Sequence, residues 1–114
     1  MPNYPTHIEL ADKILALLNM PILNFNKGCF LIGSTAPDIR IITKADREKY
    51  HFASIGFTKL GDGINGLLQK VPDLSDSKII SDTTASFIAG FLTHIIADEL
   101  WIMSMYRPFF GNSD

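Results

Sequence analysis

The chain has one cysteine in 114 residues, Cys29, which excludes an internal disulfide framework and any cysteine-rich zinc module. Charge is also scarce. Only 19% of residues are charged and the formal net charge is −2, so no basic field exists to collect nucleic acid, and no stable nucleic-acid complex is expected. Repeats, charge blocks and low-complexity linkers are missing. The opening Met1-Pro2-Asn3-Tyr4-Pro5 carries no positive cluster, and His7 and Glu9 interrupt the region before a targeting segment could form. The most apolar stretch, Ala85 to Met105, contains Thr93, His94, Asp98 and Glu99, which argues against a transmembrane helix. A cytoplasmic protein is the expectation. What is abundant is apolar surface: 46% of residues are hydrophobic and the mean hydropathy is +0.16. That excludes disorder. It is high for a single small domain, so either surface is hidden in an oligomer or the chain is part of something larger.

The apolar residues recur mostly with helical spacing, and the fold class expected is all-α, a small multi-helix bundle over residues 1–114. Thr6-His7-Ile8-Glu9 reads as a capping box with Thr6 at the N-cap. Ile8, Leu10, Ala11, Ile14, Leu15 and Leu18 form the apolar side of that first helix, and Asn19 with Pro21 ends it. A short apolar segment from Gly28 to Gly33 leads into Ser34-Thr35-Ala36-Pro37-Asp38, where the proline places Asp38 at a turn. Ile39 to His51 reads as loop with some helix. Phe52 to Val71 has helical spacing weakened by glycines, with Asp62-Gly63 available as an ordinary turn. Ser75, Asp76 and Ser77 offer caps for a last long helix running to about Tyr106, before Pro108. It is apolar nearly all round, which marks it as central.

Three histidines exist: His7, His51 and His94. His94 and Asp98 are four apart on the long helix, so they project from one face about 40° apart. That spacing can present an imidazole and a carboxylate to one ion, or make a hydrogen-bonded core or surface pair. Gly90, one turn before His94, leaves room beside it. An ionised Asp98 in an apolar interior costs several kcal/mol if unpaired, roughly 3–5. The nearest cation on its helix, Arg107, is nine positions away. A distant base, protonation or a metal ion has to compensate. Asp38 raises the same question, with Lys44, Arg47 and Lys49 as nearby answers. The serines Ser34, Ser54 and Ser86 have no readable Ser-His-Asp context, and Gly61 to Gly66 lacks the lysine and strand setting of a phosphate loop.

Four segments together carry a resemblance: Thr6-His7; Leu31-Ile32-Gly33-Ser34-Thr35-Ala36-Pro37-Asp38-Ile39; His51-Phe52; and Gly90-Phe91-Leu92-Thr93-His94-Ile95-Ile96-Ala97-Asp98-Glu99-Leu100-Trp101. They resemble the zinc-dependent phospholipase C family, which shares its helical fold with zinc-dependent single-strand nucleases. The resemblance implies that Asp38, His51, His94 and Asp98 ligate one zinc, and that His7 belongs to a second zinc, with Asp98 bridging the two. Two imidazoles and two carboxylates suit a tetrahedral zinc site. The implied activity is phosphodiester hydrolysis by a metal-bound hydroxide, on a phospholipid headgroup or another small phosphodiester, with Asp38 a candidate for orienting the water. The general base is not assigned.

The family's further zinc takes two histidines and a glutamate from beyond the His-x-x-x-Asp helix, and in its secreted members the mature amino terminus is itself a ligand. Here no histidine follows His94 and six residues precede His7. The expectation is therefore the N-terminal portion of a longer domain. A non-catalytic, metal-stabilised interaction module is the alternative reading. A homodimer, or a missing C-terminal partner, is expected to cover Trp101, Met105, Tyr106, Phe109 and Phe110.

Overall fold

The computed structural model describes residues 3–39, 43–44, 46–52 and 57–110. Every regular element among them is helical: α1 (Tyr4–Leu18), α2 (Pro21–Phe25), α3 (Lys27–Gly33), a 3₁₀ turn (Ala36–Ile39), α4 (Arg47–His51), α5 (Asp62–Lys70), a second 3₁₀ turn (Pro72–Ser75), α6 (Asp82–Trp101), a π-helical turn (Ile102–Tyr106) and α7 (Arg107–Phe109). The all-α expectation holds.

The first helix starts earlier than its sequence suggested. Asn3, not Thr6, is the N-cap: its extended backbone precedes the helix, and its side-chain oxygen accepts from the Thr6 N–H at 3.1 Å and from the Thr6 hydroxyl at 2.9 Å. Pro5 lies in the first turn, where its missing N–H costs nothing. His7 is thereby set inside a formed helix, its own N–H bonded to the Asn3 carbonyl. Asn19, in the left-handed region at φ 45°, ends α1 as expected. On the expected apolar side, Ala11 and Leu15 are buried with Leu23 and Phe30, whereas Ile8 and Leu18 stay exposed.

Helix α6 is the axis of the bundle, and its start also differs from expectation. Ser75 is absorbed into the second 3₁₀ turn, and Ser81 caps α6 by accepting from the Thr84 N–H at 3.2 Å. At the far end the helix does not stop before Pro108. The Arg107 N–H bonds to the Ile102 carbonyl five residues back, and this widened turn carries the helical path into α7. The run Asp82–Phe109 is long and apolar enough, by length and composition, to cross a membrane. Here it packs between α1, α3 and α5, with Phe91, His94, Ile95, Asp98 and Glu99 buried. Trp101 is half-buried with its ring 5.8 Å from that of Tyr106, while Met105, Phe109 and Phe110 are exposed on this chain.

The apolar segment from Gly28 to Gly33 is helix α3, with Cys29 half-buried on it. It crosses α6 at backbone contact. A Cβ on Gly33 would overlap the Phe87 carbonyl, and a Cβ on Gly90 would overlap the Phe30 carbonyl and meet the Ser34 nitrogen at 2.9 Å. The two glycines are reciprocal, each giving way to the other helix's main chain.

The long helix expected over Phe52 to Val71 is reduced to α5. Phe52 has φ 59° and Gly61 φ 99°, so the chain turns twice before Asp62. Asp62 and Gly63 belong to α5 rather than to a turn; the Asp62 carboxylate accepts from the Thr58 and Lys59 N–H groups at 3.2 Å and closes the loop in front of it. The expected helical position Ile55, the serine Ser54 and the stretch 40–42 lie outside the described residues.

The crossing yields a stability prediction. Gly90→Ala meets backbone that cannot rotate away, so its cost should stand at the upper end of overpacking, about 3 kcal/mol. Urea denaturation of wild type and variant measures it, and Ala89→Gly, on a half-buried neighbouring position, should cost about 1 kcal/mol.

Candidate metal centre

Five side chains from four stretches of chain meet beside the α3–α6 crossing. His7 comes from the first half of α1, Asp38 from the 3₁₀ turn behind the buried Pro37, His51 from the end of α4, and His94 with Asp98 from one face of α6. The turn is set locally: the Asp38 N–H bonds to the Thr35 carbonyl, and the proline before it fixes the backbone. His7, His51, His94 and Asp98 are almost wholly buried, each with a side chain no more than 2% exposed; that of Asp38 is 14% exposed.

The geometry starts at His94. Its Nδ1–H donates to the Ser34 carbonyl at 2.6 Å, a bond that requires the close crossing of α3 and α6. This fixes the ring and turns Nε2 towards the carboxylates, 3.2 Å from Asp38 Oδ1 and 3.3 Å from Asp98 Oδ2. The contacts are close, but none has hydrogen-bond alignment, and His94 Nε2 is left without a hydrogen-bond partner. His51 Nε2 lies 3.4 Å from Asp38 Oδ1 and 3.1 Å from Asp98 Oδ2. His7 stands apart from this ring of four. Its imidazole stacks on that of His94, with centroids 3.6 Å apart and planes 11° from parallel, and its Nε2 is 3.1 Å from the other Asp98 oxygen, Oδ1.

These separations fit a small cation. Ligand atoms from Asp38, His51, His94 and Asp98 all lie within 4.8 Å of one another. Zinc bonds of about 2.0–2.1 Å in a tetrahedron set neighbouring ligand atoms about 3.3 Å apart. The four nitrogen–oxygen edges of the cluster measure 3.1–3.4 Å. The donor set, two imidazoles and two carboxylates, is one zinc accepts. The orphaned nitrogen of His94 is where a metal bond would satisfy a buried polar atom.

The electrostatics agree. Burial pushes the carboxyls of Asp38 and Asp98 up, but the imidazoles beside them outweigh it. His51 and His94 act on Asp38, and His51, His7 and His94 act on Asp98, so both are held well below the usual carboxylate range. Burial pulls His94 down, and the Asp38 and Asp98 carboxylates overcome it and raise the imidazolium to about 9. The cluster therefore demands positive charge, from a proton or from a metal.

All five residues expected from the sequence are thus in one place, with four converging and His7 on the far oxygen of Asp98. Two contributors were not anticipated. The Ser34 carbonyl orients His94 through its backbone, which no side-chain pattern reports. Glu99, 3% exposed, accepts from the Gly61 and Gly63 N–H groups at 2.7 and 2.8 Å. Its signal was present, a second carboxylate in the same apolar stretch as Asp98.

The class that fold and site define is an all-helical bundle with a buried histidine–aspartate cluster, able to hold a metal ion, between its helices. A family model described as zinc-dependent phospholipase C matches residues 6–101, and the chain belongs to that family. Comparisons with curated proteins and with solved structures found no match.

The charges predict how metal-free protein responds to pH. His94 is raised from 6.5, so its contribution is complete below pH 6.5 and is lost as pH rises through about 9. Asp38 and Asp98 are lowered from 3.8, so theirs is complete above that value and is lost in stronger acid. Thermal melts in chelator should place the cluster's greatest stabilisation between about pH 4 and 6.5. The alkaline decline should be absent in His94→Gln.

Proposed function

We propose that the protein is a metal-dependent phosphodiester hydrolase of the phospholipase C type, acting on a phospholipid headgroup or another small phosphodiester. The observation that carries this reading is the convergence of Asp38, His51, His94 and Asp98 around an orphaned imidazole nitrogen in a member of a zinc-dependent family. A zinc ion bound there would supply Lewis acidity and lower the pKa of bound water towards about 7.

The residues divide the remaining work. His94, fixed by Ser34, and His51 provide the nitrogen donors, and Asp98 presents one oxygen to them and the other to His7. That two-sided carboxylate supports a second ion shared by Asp98 and His7. Asp38 is the most exposed of the four, which supports its reading as the residue that orients an incoming water or phosphate oxygen.

One observation favours a second reading. Three of the four converging side chains are at most 2% exposed, as in a closed structural site, and catalytic zinc keeps a position open. In that reading the ion is a staple and the protein an interaction module.

Metal analysis of protein purified without a metal-binding tag separates the two. A hydrolase should carry more than one zinc per chain and cleave bis-p-nitrophenyl phosphate, with turnover lost in Asp98→Asn. A structural site should carry one zinc and show no turnover. In both cases zinc at 100 times its Kd should add about 2.7 kcal/mol of stability. Absence of any transition metal together with unchanged melting in chelator would overturn both readings.

A further inference from the structure

Two adjacent carboxylates on α6 point to different neighbours. Asp98 faces the imidazoles, while Glu99, about 100° further round the helix, reaches the start of α5. Its Oε1 accepts from the Gly61 N–H at 2.7 Å and its Oε2 from the Gly63 N–H at 2.8 Å, so both oxygens grip amides at one helix N-terminus. There an anion also complements the helix dipole. The glycines of α5 then form a bed for a stretch of chain that precedes it. A Cβ on Gly63 would lie 2.9 Å from the His51 carbonyl oxygen, and a Cβ on Gly66 would overlap the Phe52 carbonyl. Phe52 itself, at φ 59°, is held in a conformation side chains rarely adopt, and its ring packs 6.0 Å from that of Phe91 on α6. The main chain that delivers His51 therefore lies against α5, the Phe52 ring reaches α6, and Glu99 ties α5 to α6.

We infer that Glu99 is a positioning residue for the metal centre: by clamping α5 to α6 through Gly61 and Gly63, it holds the backbone of His51 where the imidazole completes the cluster. The inference rests on the reading of Asp38, His51, His94 and Asp98 as metal ligands. Glu99 touches none of the four side chains' ligand atoms in this role, and it acts only through α5 and the His51 main chain. Glutamine is nearly isosteric but has a single acceptor oxygen, so Glu99→Gln leaves one of the two amides facing an NH₂ group. His51 then loses its fixed position, and one nitrogen donor weakens.

Cobalt(II) is the probe, because its visible absorption reports the donor set directly. Titrations of wild type, Glu99→Gln and Leu23→Ala are compared. Leu23 lies buried on α2 and serves as a control for lost stability alone. Glu99→Gln should weaken cobalt binding about tenfold and alter the visible band, as loss of an outer contact does at other metal sites. Leu23→Ala should melt lower yet keep wild-type affinity and spectrum. A wild type that binds cobalt alongside a Glu99→Gln variant with the same affinity and band would overturn the inference and leave the metal reading intact. A wild type that binds no cobalt would overturn both. If Glu99→Gln does not fold, amide exchange in the wild type decides, since coupling between sites is reciprocal. Cobalt should slow exchange of the Gly61 and Gly63 amides, and unchanged rates there would overturn the inference.

Discussion

Burying Asp98 is the constraint on which the rest of the molecule depends. A carboxylate at 1% exposure in the centre of a small bundle has to be compensated on every side. Three imidazoles do this, two on Oδ2 and one on Oδ1, and they come from α1, α4 and α6. Around one side chain, three of the seven helices among the described residues are thus arranged. The burial of charge is weak evidence for the bundle's stability and bears instead on its arrangement, because a shifted α1 or α4 takes one imidazole away from the buried carboxylate.

That arrangement relies on how closely α3 and α6 approach. With side chains at Gly33 and Gly90 the two main chains would separate by the width of a methyl group. The 2.6 Å bond from His94 to the Ser34 carbonyl would be lost with that separation. The same 3₁₀ turn that follows Ser34 brings Asp38 to the cluster. Packing and chemistry are therefore one feature here: a pair of glycines sets the distance, the distance aims an imidazole, and the imidazole meets two carboxylates.

Much of this was legible in the sequence, for identifiable reasons. Helical spacing marked α1 and α6 and put His94 and Asp98 on one face, whereas the grouping of His7, Asp38 and His51 with that pair came from the resemblance of four separate segments to a family, not from spacing or composition. Helix limits were less legible. Thr6 and Ser75 are good caps in isolation, yet Asn3 and Ser81 have the extended backbone that a cap requires, and only the fold decides between them. Phe52 to Val71 misled because the backbone leaves helical geometry at Phe52 and again at Gly61, so that the helix starts only at Asp62. The role of Glu99 was hidden for a different reason: its partners are backbone amides, which carry no sequence signature.

The cluster also joins positions far apart along the chain. The contacts close loops of 91 residues between His7 and Asp98, 60 between Ser34 and His94, and 47 between His51 and Asp98. Closure entropy rises only slowly with length, so such loops are permitted, but every one of them waits for α6. On a growing chain, His7, Asp38 and His51 are made well before either residue of the His94–Asp98 pair. Asp38 and His51, whose side chains lie 3.4 Å apart, both precede α6, yet the second carboxylate and the third imidazole arrive only with that helix, so the set is complete only when the axis of the bundle is present.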